Sequence, residues 1–268
     1  MTYWQDKRAV VTGGTLGLGR ALAGVLVDRG ARVALVARGQ AALDDTAREL
    51  EARGGNVLKI SADVTNDADM RRVAATVRER WGGVDFFCHA AGRSMRGRAV
   101  STPVEKYQEL WDLNFLSSVR CIQAFEEMLT ASRGHFVLMG SLAGKIAPRF
   151  YGAYPASKFA VSAFAQQLRL ELGPLGLHVL LVCPGPIQRE IERRYEASDV
   201  PAEALTVAAG AKLRSIDPQK LSQQILQACE RRRAELIVPG KARLLFVISQ
   251  LWPEWGDRIL RRKTPDSD

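Results

Sequence analysis

Short β-branched and aliphatic runs alternate along the chain with longer stretches of helical period. RAVVT (8–12) and ARVALVA (31–37) read as the first two strands, and a helix over about 18–29 between them stops at Gly30. NVLKIS (56–61), VDFFCH (84–89), GHFVLMG (134–140), LHVLLVC (177–183) and ELIVP (235–239) continue the strand series. Helices are expected at about 40–53, 67–81, 103–132 and 154–172, the last closed by Gly173 and Pro174, with a further one capped by Asp217. Near-continuous apolar strands alternating with amphipathic helices predict a parallel sheet covered on both faces. The fold class is therefore α/β: a single-domain, doubly wound Rossmann-type sheet of about seven strands, with helices on both faces. Ligands of such sheets bind beyond the carboxyl ends of the strands, which makes the residues just after each strand the place to look for chemistry.

After the first strand comes TGGTLGLG (12–19), in which Gly13, Gly17 and Gly19 are spaced more widely than in the usual GxGxxG fingerprint. Glycines allow a tight turn and close backbone approach, and the helix N-terminus that follows offers unpaired N–H groups to a pyrophosphate. Thr15 and Leu18 fall on the same turn. The alternative is a glycine-rich turn that only turns the chain; the strand before it and the helix after it favour cofactor binding. The second strand ends in VARG, with Ala37 and Arg38 where an NAD-preferring site would offer a carboxylate. A guanidinium there can bind a ribose 2′-phosphate that an acid would repel, so the expected cofactor is NADP(H) in preference to NAD(H), with Arg38 as reader and Thr15 as helper. The other reading of Arg38 is a solvated turn residue. Asp63 and Val64 follow the third strand and either meet the adenine or, in the case of Asp63, cap a turn.

Composition narrows the partners. The 268 residues are 47% hydrophobic and carry 38 Lys+Arg against 29 Asp+Glu, a net charge of +9. Such a balance favours acidic partners without selecting among phosphorylated cofactors, anionic lipid and nucleic acid. Nucleic-acid binding lacks any helix-turn-helix or aromatic stacking motif. Cys88, Cys121, Cys183 and Cys229 lie far apart, without CxxC or CxxxH spacing, so the expectation is buried free thiols in a cytoplasmic protein and no metal site. The first residues carry charges where a signal peptide needs an apolar stretch.

In YGAYPASKFA (151–160), Tyr154 and Lys158 stand four residues apart, on one face of a helix. A phenol with a reference pKa of about 10 is a poor acid-base catalyst at neutral pH, and an adjacent ammonium favours phenolate. The pair is thus a candidate proton donor. TGGTLGLG, Asp63-Val64, Ala90-Ala91-Gly92, Asn114 in WDLNF, Ser141 in MGSLAG, Tyr154-x-x-x-Lys158 and the PGPI of Pro184, Gly185, Pro186 and Ile187 occur in that order. Together they resemble the short-chain dehydrogenase/reductase (SDR) family over about residues 5–240. The resemblance implies that Tyr154 gives a proton to a carbonyl oxygen as hydride is delivered, or takes one back in the reverse direction. It further implies that Lys158 holds the nicotinamide ribose, that Ser141 hydrogen-bonds the substrate oxygen, and that Asn114 supports a proton relay through water.

Two motifs depart from the family pattern. NNAG reads HAAG here, with His89 and Ala90 in place of the asparagines, and His89 reads as a structural replacement. PGPIQR places Arg189 where threonine often meets the nicotinamide carboxamide; it faces the cofactor phosphates, an acidic substrate or solvent. The charged segment 188–216 corresponds to the family's substrate lid, and Phe150, Met95 and Tyr195 are candidate pocket contacts. The tail, 241–268, holds an apolar run from Leu244 to Trp252 that is shorter than the roughly 20 residues needed to span a bilayer. Trp252 and Trp255, followed by Arg258, Arg261, Arg262 and Lys263, read either as an interfacial segment peripheral to anionic membrane or as an arm packed on its own or a neighbouring subunit. The resemblance implies a homodimer or homotetramer. The leading expectation is an NADP(H)-dependent reductase of a small-molecule carbonyl, an apolar ketone or long-chain 3-keto lipid. A sugar, polyol or small-acid dehydrogenase and a non-catalytic NADP(H)-binding regulator are the alternatives.

Overall fold

The structure, a computed structural model, describes residues 2–188, 200, 202–205 and 214–263. The strands are β1 (Arg8–Thr12), β2 (Arg32–Ala37), β3 (Asn56–Ser61), β4 (Phe86–His89), β5 (His135–Met139), β6 (His178–Pro184) and β7 (Glu235–Val238). They form one parallel sheet in the order β3-β2-β1-β4-β5-β6-β7, so the direction of winding reverses between β1 and β4. The connecting helices are α1 (Gly17–Asp28), α2 (Gln40–Ala52), α3 (Asp67–Trp81), α4 (Val104–Trp111), α5 (Ser117–Ala131), α6 (Tyr154–Leu172) and α7 (Pro218–Glu230). This is the doubly wound Rossmann-type architecture that the alternation predicts.

Alternate residues of each strand feed two cores. Val10, Ala34, Phe87, Phe136, Leu138 and Leu181 pack with α3, α5 and α6 on one face. Val11, Leu35, Phe86, Val137, Leu180 and Val182 pack with α1, α2 and α7 on the other. Burial on both faces is why the strands read as continuous apolar runs rather than as alternating ones. Helix ends follow their caps: the Asn66 side chain accepts from the N–H groups of Ala68 and Asp69, and Asp217 from those of Gln219 and Lys220.

One region differs from the sequence expectation, and another takes elements that the sequence reading left unassigned. The expected helix over 103–132 is broken into α4 and α5 by a π-helical turn at Asp112–Leu116. The wider turn inserts a residue into the helical repeat and carries Asn114 inward, a change of phase that hydrophobic spacing does not reveal. The tail folds into two helices, α8 (Ala242–Leu251) and α9 (Pro253–Lys263), separated at Trp252. Gly256 of α9 lies against Ser249 of α8, where an added Cβ would stand 2.5 Å from the Ser249 Oγ. No helix among the described residues is long and apolar enough to cross a membrane.

Candidate active site

The turn from β1 into α1 is built for close approach. Gly13 has φ of +66°, and a Cβ there would lie 2.9 Å from the Ala91 nitrogen; a Cβ on Gly19 would lie 2.2 Å from the Gly13 carbonyl oxygen. Gly17 adopts φ of +50° and faces open space. Helix α1 starts after Leu16 without a side-chain cap, so its first N–H groups are left to another acceptor. Uncapped donors, a glycine turn and the winding reversal between β1 and β4 coincide here, and together they fit the pyrophosphate of a dinucleotide. Thr15 is buried in this turn, whereas Leu18 packs partly against the α1/α7 core.

Arg38, just after β2, exposes 79% of its side chain, and its Nη1 stands 3.8 Å from the Asp63 carboxylate. The other oxygen of Asp63 accepts from the Thr65 N–H at 2.9 Å and the Thr65 hydroxyl at 2.7 Å, so Asp63 does cap a turn. Val64 is buried in the core with Ile60 and Met70. Arg38 and Asp63 therefore flank the same edge of the sheet, while Val64 mainly secures it.

Beyond β4, the Ala90 N–H donates to the Thr12 carbonyl, and the backbone of Ala91 presses on Gly13. A Cβ on Gly92 would stand 2.8 Å from the Asn114 Oδ1 and 3.6 Å from the Lys158 Nζ, so only glycine lets this strand end meet both side chains. The Asn114 Oδ1 accepts from the Arg93 N–H, and its Nδ2 donates to the Arg93 carbonyl and the Ser157 hydroxyl. Asn114 thereby ties the π-helical turn to the β4 loop and to α6.

Tyr154 and Lys158 lie on the first turns of α6, with Nζ 5.9 Å from the phenol ring centroid. Lys158 is 5% exposed and donates to the Met139 carbonyl at 2.8 Å. Burial pushes the Lys158 ammonium down to about 8. The Tyr151 ring stacks on that of Tyr154 at 6.3 Å between centroids, and the buried Arg96 guanidinium lies 4.0 Å from the Tyr151 centroid. Arg96 also donates to the Ala204 carbonyl, joining this wall to the short helical turn at Ala202–Leu205. Ser141 follows β5, and its oxygen accepts from the Ala143 N–H at 3.1 Å, which leaves the hydroxyl proton to be donated elsewhere.

Pro184 ends β6 and the Gly185 N–H donates to the Val238 carbonyl. Ile187 pairs with Ile216 in a short parallel bridge, where the Gln188 N–H donates to the Ile216 carbonyl and the Ile216 N–H to that of Pro186. The two ends of the expected lid, 188–216, are thus fastened side by side. Arg189 and Tyr195 lie outside the described residues. A cavity of about 580 Å³ borders Tyr151 and Pro155 and is lined among the described residues also by Arg98, Tyr107, Arg149, Phe150 and Phe159. Met95 packs its methyl group against Gly152.

His89 is buried and braces the sheet. The Ser117 hydroxyl donates to the Leu113 carbonyl, so it accepts from His89 Nε2–H; the Nδ1 lone pair then receives the Thr12 hydroxyl at 2.9 Å. Burial, reinforced by Lys158, pushes this imidazole down to about 3, which keeps it neutral. It links β1, β4 and the start of α5 in the place of the family's asparagine.

A glycine-lined cradle at the carboxyl edge of β1 and β4, with a tyrosine and a buried lysine across it, defines a nicotinamide-dependent oxidoreductase. Residues 7–199 match the family described as short chain dehydrogenase. The chain is 30% identical over 267 residues to dehydrogenase/reductase SDR family member 7B of Danio rerio, covering 96% of this chain and 85% of that protein. A short-chain dehydrogenase from Streptomyces avermitilis superposes with a TM-score of 0.82 at 28% identity, over 96% of both chains. A short chain dehydrogenase/reductase from Burkholderia phymatum, solved in complex with NAD, shares the fold with a TM-score of 0.80 at 24% identity, over 94% of this chain and 96% of that one. The protein belongs to the short-chain dehydrogenase family, and it is an oxidoreductase that uses a nicotinamide cofactor.

Sequence reasoning did not find Gly92 as the point where Asn114 and Lys158 converge, nor the stack of Arg96 on Tyr151. It also missed a cluster of His135, His178 and Cys229 at the opposite edge of the sheet. One signal was available for the cluster: both histidines open their strands, and β5 and β6 pair in register His135 to His178.

Proposed function

We propose that the protein is an NADP(H)-dependent reductase that converts a small-molecule carbonyl, an apolar ketone or long-chain 3-keto lipid, into an alcohol. The reading rests chiefly on Lys158, an ammonium buried beside the Tyr154 ring on the face of α6 that looks across to Gly92 and Asn114. In the cradle, the N–H groups at the start of α1 and the backbone of Gly13, Thr15, Gly17, Leu18 and Gly19 bind the pyrophosphate. Arg38 binds the 2′-phosphate and Asp63 the adenine edge, while Ala90, Ala91, Gly92, Pro184, Gly185 and Ile187 line the nicotinamide half. When bound, the cofactor supplies the hydride. Tyr154 gives its phenolic proton to the carbonyl oxygen, and Ser141 donates a hydrogen bond to the same oxygen as negative charge develops. Lys158 holds the ribose hydroxyls and stabilises the tyrosinate left behind by its charge. Asn114 fixes the β4 loop against α6, so that donor and hydride stay aligned.

NADPH oxidation across a panel of ketones tests this reading. Turnover that disappears in Tyr154→Phe while NADPH binding persists is expected; equal turnover in the mutant would sink the assignment.

The tail extends the same proposal. Leu244, Val247 and Leu251 lie along one side of α8 at 68%, 52% and 62% exposure, and Trp252 and Trp255 are 56% and 63% exposed. With Arg258, Arg261 and Arg262 on α9, they suit the surface of an anionic bilayer, which would also concentrate a lipid ketone near the site. Removing residues 242–268 should abolish sedimentation with phosphatidylserine-containing vesicles. Unchanged sedimentation, or loss of a dimer or tetramer in its place, would assign the tail to subunit packing.

A further inference from the structure

The amino-terminal edge of the sheet, opposite the hydride site, holds a second group of chemically capable side chains. His135 and His178 are the first residues of β5 and β6 and are paired in register, so both rings project to the same face as Val137 and Leu180. Cys229, in the last turn of α7, packs into that core. All three are buried, and one ring nitrogen of each histidine and the Cys229 Sγ lie within 4.8 Å of one another.

Hydrogen bonding fixes which nitrogens face inward. The two Nδ1 atoms are 2.8 Å apart, the His178 Nε2 is 2.8 Å from the Arg233 carbonyl, and the His135 Nε2 is 2.7 Å from the Tyr3 hydroxyl. A carbonyl can only accept, so His178 carries its proton on Nε2. Burial keeps both imidazoles neutral. His178 Nδ1 is then a lone pair, His135 Nδ1–H donates to it, and the Tyr3 hydroxyl donates to His135 Nε2. A single proton between the two Nδ1 atoms closes the chain.

We propose that His135 Nδ1, His178 Nδ1 and Cys229 Sγ form a zinc(II) site of the His₂Cys type, with a fourth position for water. Thiolate and imidazole are the donors that zinc prefers. The outer nitrogens are already engaged as zinc-bound histidines require, by a backbone carbonyl and a hydroxyl that orient each ring. Loading balances simply. The proton between the rings moves to His135 Nε2, which donates to the Tyr3 oxygen; the Cys229 thiol releases its proton to solvent; and no redox change occurs. Two Zn–N bonds of about 2.0–2.1 Å at a tetrahedral angle put the nitrogens roughly 3.3 Å apart, so the rings separate by about 0.5 Å. Glu230 and Asp85 favour a cation here, and Arg232 and Lys7 oppose it. Tyr3, on the N-terminal turn, is 49% exposed while its hydroxyl reaches the His135 Nε2, so it joins the site to the protein surface. The ion would join that turn, β5, β6 and α7, remote from the reaction, and the site is independent of the function proposed above.

The test uses the full chain, stripped with a chelator and dialysed. Zinc(II) alone is titrated with metal analysis for stoichiometry, and cobalt(II) is used as the spectroscopic probe. Expected are one equivalent of either metal per chain, a thiolate-to-cobalt charge-transfer band with tetrahedral d–d bands, and a rise in Tm with zinc. Cys229→Ser should lose the band and the stoichiometric metal, whereas Cys121→Ala, which removes a buried thiol elsewhere, should keep both. Tyr3→Phe should keep the stoichiometry and weaken affinity about 10- to 100-fold. A wild-type chain without the charge-transfer band overturns the proposal, whatever the variants do. So does a band that survives in Cys229→Ser.

Discussion

Replacing Arg38 with alanine separates cofactor selection from folding. In the free protein the Arg38 side chain is 79% exposed and its ion pair with Asp63 spans 3.8 Å. Asp63 keeps both of its bonds from Thr65 when the guanidinium is gone. An exposed pair of this kind is worth about 0–1 kcal/mol, so Tm should fall by no more than about 2–4 °C. The loss on binding is larger. A charge-assisted hydrogen bond to a 2′-phosphate is worth about 1.5–3 kcal/mol, and about 1.4 kcal/mol is tenfold in affinity. The dissociation constant for NADPH should therefore rise about 10- to 150-fold, while that for NADH, which has no 2′-phosphate, stays within about twofold. Fluorescence titration with both cofactors at two salt concentrations measures this, and the wild-type preference should shrink at high salt because the contact is exposed. Equal losses for the two cofactors, or none for NADPH, would refute the assignment of Arg38 as phosphate reader.

The other predictions follow from buried geometry. Lys158 is held near 8 when folded and titrates near its ordinary value of 10.5 when unfolded. Between those values the unfolded chain binds a proton that the native chain does not. The Lys158 contribution to the stability of the cofactor-free protein should then rise with pH by up to about 1.4 kcal/mol per unit, opposed by the Cys88, Cys121, Cys183 and Cys229 thiols, which burial raises and which ionise first in the unfolded chain. Urea midpoints at pH 8 and 9.5 should respond less favourably to rising pH in Lys158→Met than in the wild type, because only the Lys158 contribution is removed; parallel pH profiles would contradict the burial argument. Gly19→Ala places a Cβ 2.2 Å from the Gly13 carbonyl oxygen. It should cost about 1–3 kcal/mol in a thermal melt and remove measurable binding of both NADPH and NADH, since the crowded turn serves the pyrophosphate that they share.

The strands and most helices were legible because burial on both sheet faces leaves apolar runs, and α6 begins at Tyr154 and ends at Leu172 as its flanking residues predict. Tyr154 and Lys158 were legible because helical spacing is local. The π-helical turn was not, since one inserted residue leaves the apolar pattern almost unchanged while it redirects Asn114. Gly92 was legible as part of the Ala90-Ala91-Gly92 motif, but not as the point on which Asn114 and Lys158 converge from 22 and 66 residues away. His89 shows the limit from the other side: its place in HAAG suggested a structural substitute, but its bonds to Thr12 and Ser117 depend on the sheet order. The cysteines were read correctly as buried free thiols. Their spacing gave no sign that Cys229 would meet two histidines, because those three residues come together only through parallel strand register and the docking of α7.

The most direct test of the account compares wild type with Tyr154→Phe for oxidation of NADPH by long-chain 3-keto lipids, steroids, aromatic ketones and sugars, with NADPH affinity measured alongside. The account predicts turnover of the apolar ketones by wild type, and loss of that turnover in a mutant that binds NADPH within about threefold of normal, since only a proton donor has been removed. A mutant that reduces the same ketone at the wild-type rate would contradict it.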